Sequence, residues 1–257
     1  MRRKLYYGFI CLLALICLTA CGTSDRQTKQ TKESSSQQEL TVKQLLKKAK
    51  KANNKVTSVA VGMQMDLKSG SKNTHQDFLA QVQYDNGELT KVNSQLEETS
   101  GSQTSYDEVI AIQTDNNSFT YYQRSDKNGQ WRNGEWETID LDPDYFSFLD
   151  IIYKMSDDLT IEEDDDDYVL SLRSQNIDLI SLFSDELNLS LTGVDQTEME
   201  KDFEIRFAKK TFYLKGFDMD LNYNSDKGSL SINIGGTYSD WNKVKDSVFD
   251  IPSTGNA

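Results

Sequence analysis

Between residues 59 and 67, and again between residues 78 and 84, apolar positions fall on every second residue. Small or polar side chains separate them, and this alternation is typical of an antiparallel strand with one buried face and one face in water. The apolar faces of two such strands are Val59, Val61, Met63, Met65 and Leu67, and then Phe78, Ala80, Val82 and Tyr84. Asp85-Asn86-Gly87 next predicts a hairpin turn into a third strand over about residues 89–96.

Three stretches change to helical spacing, and they predict helices near residues 42–53, 143–157 and 176–188. Thr41 is a suitable N-cap for the first helix, and Asp142 before Pro143 marks the start of the second. Further alternating runs continue almost to the C-terminus. Eight or more antiparallel strands with three helices indicate an α+β fold built on one large sheet.

The first predicted helix has a basic outer side. Its apolar stripe consists of Val42, Leu45, Leu46 and Ala49, whereas the opposite side carries Lys43, Lys47, Lys48, Lys50 and Lys51. Two interpretations stay open. The lysines either lie on a membrane or an anionic wall polymer, or they are the ordinary solvated side of a helix that packs on a sheet.

The N-terminus has the order of a secreted lipoprotein leader. Three basic residues precede an almost wholly apolar run over residues 6–18, which is too short for a comfortable membrane span. The motif Leu18-Thr19-Ala20-Cys21-Gly22 then resembles a bacterial lipobox. We therefore predict a signal peptide over residues 1–20 and a diacylglycerol attached covalently to Cys21, with no other cofactor. Two acyl chains suffice for stable membrane attachment.

Composition divides the remaining chain into a tether and one domain. Residues 21–38 contain, after the cysteine, only small, polar and charged side chains, which is typical of a disordered linker. Residues 39–257 are long enough to bury a sizeable core, and we predict a single domain there. The formal net charge of -13 disfavours nucleic acid as a partner. Cys11 and Cys17 lie in the signal peptide, so we expect no disulfide and no thiolate site.

No motif indicates catalytic chemistry. His75, the single histidine, falls in a polar stretch over residues 69–76 that we interpret as a hairpin connection, and no motif supplies a nucleophile for it. The acidic run from Glu162 to Asp167 lacks the glycine turn and spaced ligands of a calcium loop. We interpret it as a solvated hairpin tip, with weak cation binding as the alternative. We therefore expect a protein that is not an enzyme and has no dedicated metal site.

The order of these parts resembles the lipoproteins related to the LolA and LppX carriers, and more closely an uncharacterised family of Gram-positive lipoproteins. The resemblance covers nearly all of residues 39–257 and rests on the first helix leading into the first strand. It also rests on the short sequences Tyr121-Tyr122, Gly129-Gln130-Trp131, Asp167-Tyr168, Tyr238-Ser239-Asp240-Trp241-Asn242 and Ile251-Pro252. It implies a LolA/LppX-like domain, in which a strongly curved antiparallel sheet forms an incomplete barrel with about three helices on its concave side.

In carriers of this type the space between sheet and helices accepts acyl chains, and here the residues that would line it are Val61, Met63, Met65, Phe78, Val82, Ile110, Phe119 and Met219. Flexible thioethers suit irregular apolar ligands, although they also fill ordinary cores. We expect a lipid-anchored protein on the extracytoplasmic face of the cell membrane that binds a hydrophobic or amphipathic ligand, as a lipid carrier or sensor. The alternative is a surface module with a filled interior that contacts another envelope protein or a cell-wall polymer.

Overall fold

The computed structural model describes residues 40–114, 118–189, 191, 194, 196–225 and 228–253. Within these ranges the helices are α1 (Val42–Asn53), α2 (Tyr145–Lys154) and α3 (Leu179–Phe183). The strands are β1 (Ser58–Ser69), β2 (Lys72–Asp85), β3 (Glu88–Ser100), β4 (Gln103–Gln113), β5 (Phe119–Arg124), β6 (Arg132–Trp136), β7 (Leu159–Asp164), β8 (Asp167–Leu172), β9 (Glu200–Ala208), β10 (Leu214–Ser225) and β11 (Gly228–Ser239).

All strands of the described ranges join one antiparallel sheet in the order β6-β5-β4-β3-β2-β1-β11-β10-β9-β8-β7. β6 and β7 are its two edges, so the sheet is not closed into a barrel. The predicted large open antiparallel sheet with three helices is thereby confirmed. The predicted signal peptide, Cys21 and the tether over residues 21–38 lie outside the described residues, and they stay predictions.

The strand registers divide the sheet into an inner face, on which the helices pack, and an outer face. On the inner face Val59 of β1 lies opposite Val82 of β2, and Met63 lies opposite Phe78. Because side chains alternate along a strand, the residues between them point to the outer face. The predicted first two strands and the hairpin after them are therefore confirmed in both position and alternation.

The helices cover the end of the inner face at which β1 begins, which we call the covered end. Four fully buried rings fill the space there. The Phe148 ring of α2 has its centroid 4.4 Å from that of Phe217 on β10 and 5.2 Å from that of Phe183 on α3. Phe183 in turn lies 5.2 Å from Phe203 on β9. We call the opposite end of the sheet, at Ser69, the far end.

A glycine lets β11 pass directly beneath one of these rings. A Cβ atom at Gly236 would lie 2.2 Å from Cε1 of Phe217, which is well inside van der Waals contact. The close approach of ring and backbone therefore excludes any side chain at this position. Gly235, the preceding residue, points to the outer face, where a Cβ atom would meet only the Asp218 carboxylate, at 3.3 Å.

A buried asparagine fastens α1 to the rest of the covered end. The side-chain amide of Asn53 donates to the carbonyls of Ala49, at 2.7 Å, and Phe212, at 2.9 Å. Its oxygen accepts from the backbone N–H of Leu214, at 3.3 Å, and from the hydroxyl of Tyr145. Since a buried polar group is costly unless it is hydrogen-bonded, this fully paired amide fixes the C-terminal end of α1.

The helix starts agree only partly with the predictions. α1 has the predicted bounds, and Thr41 caps it in a capping box. α2 does not start at Asp142 and Pro143 as predicted. The carboxylate of Asp144 instead accepts hydrogen bonds of 3.0 Å from two backbone N–H groups of the first turn, so the cap lies two residues later.

Two further elements are shorter than predicted. The third helix is much shorter than residues 176–188, because Asp178 rather than Asn176 caps it and turns follow it from residue 184. Residues 69–76 do connect a hairpin, but the turn is confined to Gly70 and Ser71 and β2 starts directly after it. Polar side chains are tolerated there because this end of the β1–β2 hairpin is partly exposed on both faces.

The C-terminal segment returns across the outer face. The backbone N–H of Asn242 donates to the carbonyl of Ser58 at 2.8 Å, and the amide of Asn93 on β3 donates to the carbonyl of Val248 at 2.7 Å. The turn Asp246–Phe249 packs on β3 and β4, and Phe249 itself is buried. The outer face therefore has a small buried patch of its own.

Candidate functional site

Burial of the inner face decreases steadily along β1. Val59 is 0% exposed and Met63 is 7% exposed, whereas Met65 and Leu67 are only half-buried. β2 shows the same change in the opposite chain direction, from the fully buried Val82 to the half-buried Phe78. The apolar face of this hairpin therefore continues beyond the part of the sheet that the helices cover.

The loss of burial towards the far end differs from strand to strand. On β10 the inner face stays buried to the far end, where Leu221 is fully buried and Tyr223 nearly so. On β3, in contrast, Leu96 lies opposite Phe78 and is 37% exposed. We call the half-exposed apolar residues of the inner face towards the far end of β1, β2, β3 and β11 the open strip, which consists of Met65, Leu67, Phe78, Leu96 and Leu230.

Polar groups border the open strip on β2 and β3. Gln76, which lies opposite Met65, donates to the Glu98 carboxylate at 2.6 Å. One row nearer the far end, the hydroxyls of Thr74 and Ser100 are 3.2 Å apart. The arrangement is an apolar surface with a polar margin, which suits a molecule that has both an apolar and a polar part.

Of the eight residues predicted to line a cavity, seven fall into three groups. Val61, Met63, Met65 and Phe78 are neighbours on the inner face of β1 and β2, and Met65 is linked through Ile234 to Met219 on β10. Val82 belongs to the same face but is fully buried at the covered end. Phe119 lies on β5 opposite Trp136, three strands away from β2.

The structure does not bring Ile110 together with the other predicted residues. It lies opposite Asn93, whose amide bonds to the C-terminal segment on the outer face. The inner-face residue of this part of β4 is Ala111, opposite Val92. Ile110 is therefore separated from the open strip by the sheet itself.

The sequence analysis omitted Leu96 and Leu230 from the candidate residues. The alternation in β3 is weak, because Leu89, Val92 and Leu96 do not keep a strict period of two. A bulge at Gln83 and Tyr84 explains the irregularity, since it shifts the register of β3 by one residue. When the bulge is included, counting alternate residues along β3 from the hairpin turn assigns Leu96 to the inner face.

His75 is built into a polar cluster on the outer face. Its Nδ1 lies 2.8 Å from the Asp66 carboxylate and its Nε2 lies 3.0 Å from the Asp77 carboxylate. The hydrogen bond with Asp66 is the main reason that the pKa of His75 is raised. A polar cleft of about 760 Å³ adjoins it at the far end. Because both ring nitrogens are already engaged, neither is available as a base for a substrate.

A second titratable group lies at the covered end. The carboxylate of Glu186 accepts the backbone N–H of Asp144, at 3.1 Å, beside the start of α2. Burial, and then the negative charges of Asp144 and Asp142, raise the pKa of Glu186 to about 7. Tyr84 donates its hydroxyl to the same Asp144 carboxylate, at 2.8 Å. These contacts all hold the start of α2.

In the described ranges, no group of three or more histidine, cysteine, aspartate or glutamate side chains is arranged to hold a metal ion. The acidic run forms the tip of the β7–β8 hairpin, as predicted, with its turn at Asp165 and Asp166. Among the helices that the structure describes, none is long and apolar enough to cross a membrane.

Comparisons with solved structures give only remote similarities. The chain is similar to a DUF1329 family protein from Desulfovibrio piger at 10% identity, over 81% of this chain and 95% of that chain, with a TM-score of 0.27. It is also similar to a putative outer membrane lipoprotein-sorting protein domain from Vibrio parahaemolyticus at 6% identity, over 81% and 95% of the two chains, with a TM-score of 0.26. At these TM-scores neither alignment carries an argument about fold or function.

Sequence comparison is more informative. No curated protein matches the chain. One family model, described as a family of unknown function (DUF6612), matches residues 41–253, from the N-cap of α1 to the end of the C-terminal segment. The match spans most of the sequence, and the chain therefore belongs to the family of unknown function DUF6612.

Proposed function

We propose that this protein is a lipid-anchored, non-catalytic binding protein on the extracytoplasmic face of a membrane, and that its open strip holds an apolar or amphipathic molecule. The observation that carries the proposal is the burial gradient along β1 and β2. Apolar residues continue at the same alternate positions after the helices end, although a solvated strand end would tolerate polar ones. A contiguous exposed apolar surface is typical of a binding site.

The dimensions of the strip favour an extended apolar ligand. From Met63 to Leu67 the inner face of β1 spans about 13 Å, since a strand rises about 3.3 Å per residue. Burial of each methylene group of an acyl chain against it would contribute about 0.8 kcal/mol. The polar pairs Gln76 with Glu98 and Thr74 with Ser100 lie beside it, where they would face the polar part of an amphipathic molecule.

The proposed location is supported by the leader sequence. A basic start, a short apolar run and the motif ending in Cys21-Gly22 follow in the order of a lipoprotein signal. A diacylglycerol on Cys21 would hold the domain at the membrane, where amphipathic molecules are concentrated. A domain that is anchored in this way and binds such molecules would act as a lipid carrier or sensor.

A surface module is the second candidate function. It is favoured by the covered end, where the four phenylalanine rings fill the space between sheet and helices. Such a module would use the open strip to contact another envelope protein or a cell-wall polymer. Its interior would then be a filled core, and small amphipathic molecules would not be retained.

Native mass spectrometry after purification tests the proposal. The chain is produced from Gly22 onward, and bound molecules are identified after organic extraction. Phe78→Asp places a charge on the open strip, whereas Leu79→Asp is its matched control, because Leu79 is 56% exposed on the outer face. We expect a co-purifying lipid that Phe78→Asp removes and Leu79→Asp retains, since an acyl chain does not compensate a desolvated charge.

Two results would contradict the proposal. One is the absence of any bound molecule together with no binding of fatty acids or lysophospholipids added to the purified protein. The other is equal retention in the two aspartate variants. Either result would favour the surface module.

A further inference from the structure

Lysines gather at one edge of the covered end, although the chain as a whole is acidic. We call this surface the basic rim, and its exposed lysines are Lys47, Lys51, Lys55, Lys243 and Lys245. The first two lie four residues apart on the side of α1 that faces away from its buried stripe. The others belong to the segments that follow α1 and β11.

Direct contacts join the segments of the basic rim into one surface. Thr57, two residues after Lys55, donates its backbone N–H to the Asn242 side chain at 2.7 Å. Trp241 stacks on Tyr213 with ring centroids 5.4 Å apart. Phe212, the neighbour of Tyr213, lies under the ammonium of Lys48, 5.1 Å from the ring centroid. The segments that carry the rim lysines are therefore joined to one another and to these rings.

The rim lysines and the lysines beside them differ in whether they form ion pairs with carboxylates. Lys209, Lys210 and Lys215 on the β9–β10 hairpin each pair with a carboxylate of the neighbouring acidic run, at 2.6 to 3.6 Å. None of the five rim lysines forms an ion pair with any carboxylate that the structure describes. The rim lysines thus carry positive charge that is not paired within the described residues, with Asp240 inside the rim and Asp246, which pairs with Lys91, directly after Lys245.

Half-buried aromatic rings lie among these lysines. Phe212, Tyr213 and Trp241 are partly exposed where the rim meets solvent, with the indole N–H of Trp241 itself buried. Tryptophan and tyrosine are enriched at the level of lipid headgroups, and here the exposed parts of the rings would lie there. Lysines near an anionic bilayer add attraction of a longer range.

We propose that the basic rim docks the domain on the anionic phospholipid headgroups of the membrane. Charge complementarity and the interleaved aromatic rings favour this partner. The position of α1 in the chain adds to it, because 20 residues separate its first residue from Cys21. The orientation at an anchored membrane rests on the proposed lipidation, whereas the attraction of the rim to anionic lipid does not.

Lysine footprinting of the full chain tests the docking. The protein is reconstituted into vesicles of phosphatidylcholine alone or with phosphatidylglycerol, and acetic anhydride labelling is read by mass spectrometry. Lys68 and Lys72 are the internal controls, because they are exposed at the far end. We expect phosphatidylglycerol to slow labelling of the five rim lysines severalfold without changing the controls. Ionic strength of about 1 M should remove this protection, since the screening length falls to about 3 Å.

A charge variant checks that the rim itself carries the effect. The triple change Lys47→Gln, Lys51→Gln and Lys55→Gln should lower the protection of Lys243 and Lys245, because each lysine removed should weaken membrane affinity about fivefold. Lys68→Gln with Lys72→Gln is the matched control and should leave it intact. Circular dichroism verifies that both variants are folded.

Equal labelling of rim and control lysines in the two vesicle types would overturn the proposal. So would protection by soluble teichoic acid, an anionic wall polymer, that equals or exceeds protection by phosphatidylglycerol. Neither result depends on a molecule bound to the open strip. Failure of docking is therefore distinguishable from failure of the proposed ligand binding.

Discussion

The two ends of the same hairpin differ in how their apolar side chains are covered. At the covered end Val59 and Val82 lie opposite each other and are fully buried beneath the helices. Towards the far end Phe78 and Leu96 also lie opposite each other on the same face, yet both are partly exposed. The same alternation thus produces a sealed core at one end and an accessible surface at the other.

Under the proposed function, the two ends of the inner face have different roles. At the covered end, aromatic packing and the hydrogen bonds of Asn53 hold the helices on the sheet. Since stability is supplied there, the open strip does not need to be sealed for the domain to fold. Changes at the covered end should therefore cost stability, whereas changes on the open strip should cost binding.

The largest expected effect is on the sealed rings. Phe148→Ala should lower the free energy of unfolding by about 4 kcal/mol, because it leaves a cavity among rings that pack on all sides. Phe78→Ala, the matched change on the open strip, should cost about 1.5 kcal/mol, since part of its ring is already in water. Urea denaturation followed by circular dichroism measures both. Similar losses for the two variants would show that the far end is as tightly packed as the covered end.

The two adjacent glycines provide a second comparison, between the two faces of β11. Gly236→Ala should cost about 3 kcal/mol, because the new Cβ atom would overlap the Phe217 ring. Gly235→Ala should change stability by less than about 0.5 kcal/mol, since it meets a movable carboxylate on the outer face. Thermal unfolding distinguishes them. A harmless Gly236→Ala variant would disprove the close packing described for the covered end.

A third comparison concerns pH dependence. The pKa of Glu186 at the covered end is raised from 4.5 to about 7, so the folded state keeps this proton longer than the unfolded state. Stability should therefore fall as pH rises from about 4.5 to about 7, and Glu186→Gln should remove that fall. The pKa of His75 is also raised, from 6.5, so its stabilisation is lost above that pH.

NMR titration of the two side chains measures these pKa values directly, and urea denaturation at several pH values measures their effect on stability. His75→Gln should remove only the fall above about pH 6.5. An unchanged profile below pH 7 in the Glu186→Gln variant would contradict the assignment of that fall to the covered end.

Much of the fold could be predicted from the sequence where periodicity is strong. The alternation from Val59 to Leu67 gave the correct strand and the correct inner face, and the spacing from Val42 gave the correct first helix. The start of α2 was missed because Asp142 and Asp144 are both suitable caps and only tertiary contacts decide between them. The hairpin connection was predicted to reach Gln76 because the start of β2 is partly exposed on both faces. Its residues are therefore all polar, and they show no alternation of apolar and polar positions.

The candidate site was harder to predict than the fold. Alternation assigns Met63 and Phe78 to one face, but it does not show where the helices stop covering that face. Ile110 is apolar, as an inner-face residue is expected to be. It lies on the outer face because of the β3–β4 register, and the C-terminal segment packs there. Both are long-range features that local patterns do not contain.

A polarity-sensitive fluorophore on the open strip is the most direct test of ligand binding there. The chain from Gly22 onward has no cysteine, so Leu96→Cys and Leu79→Cys each give one site for acrylodan, on the inner and outer faces respectively. We predict that added lysophospholipid or fatty acid shifts the emission of the label at position 96 to shorter wavelength in a saturable manner and leaves that at position 79 unchanged. No shift at position 96, or equal shifts at both positions, would contradict the account.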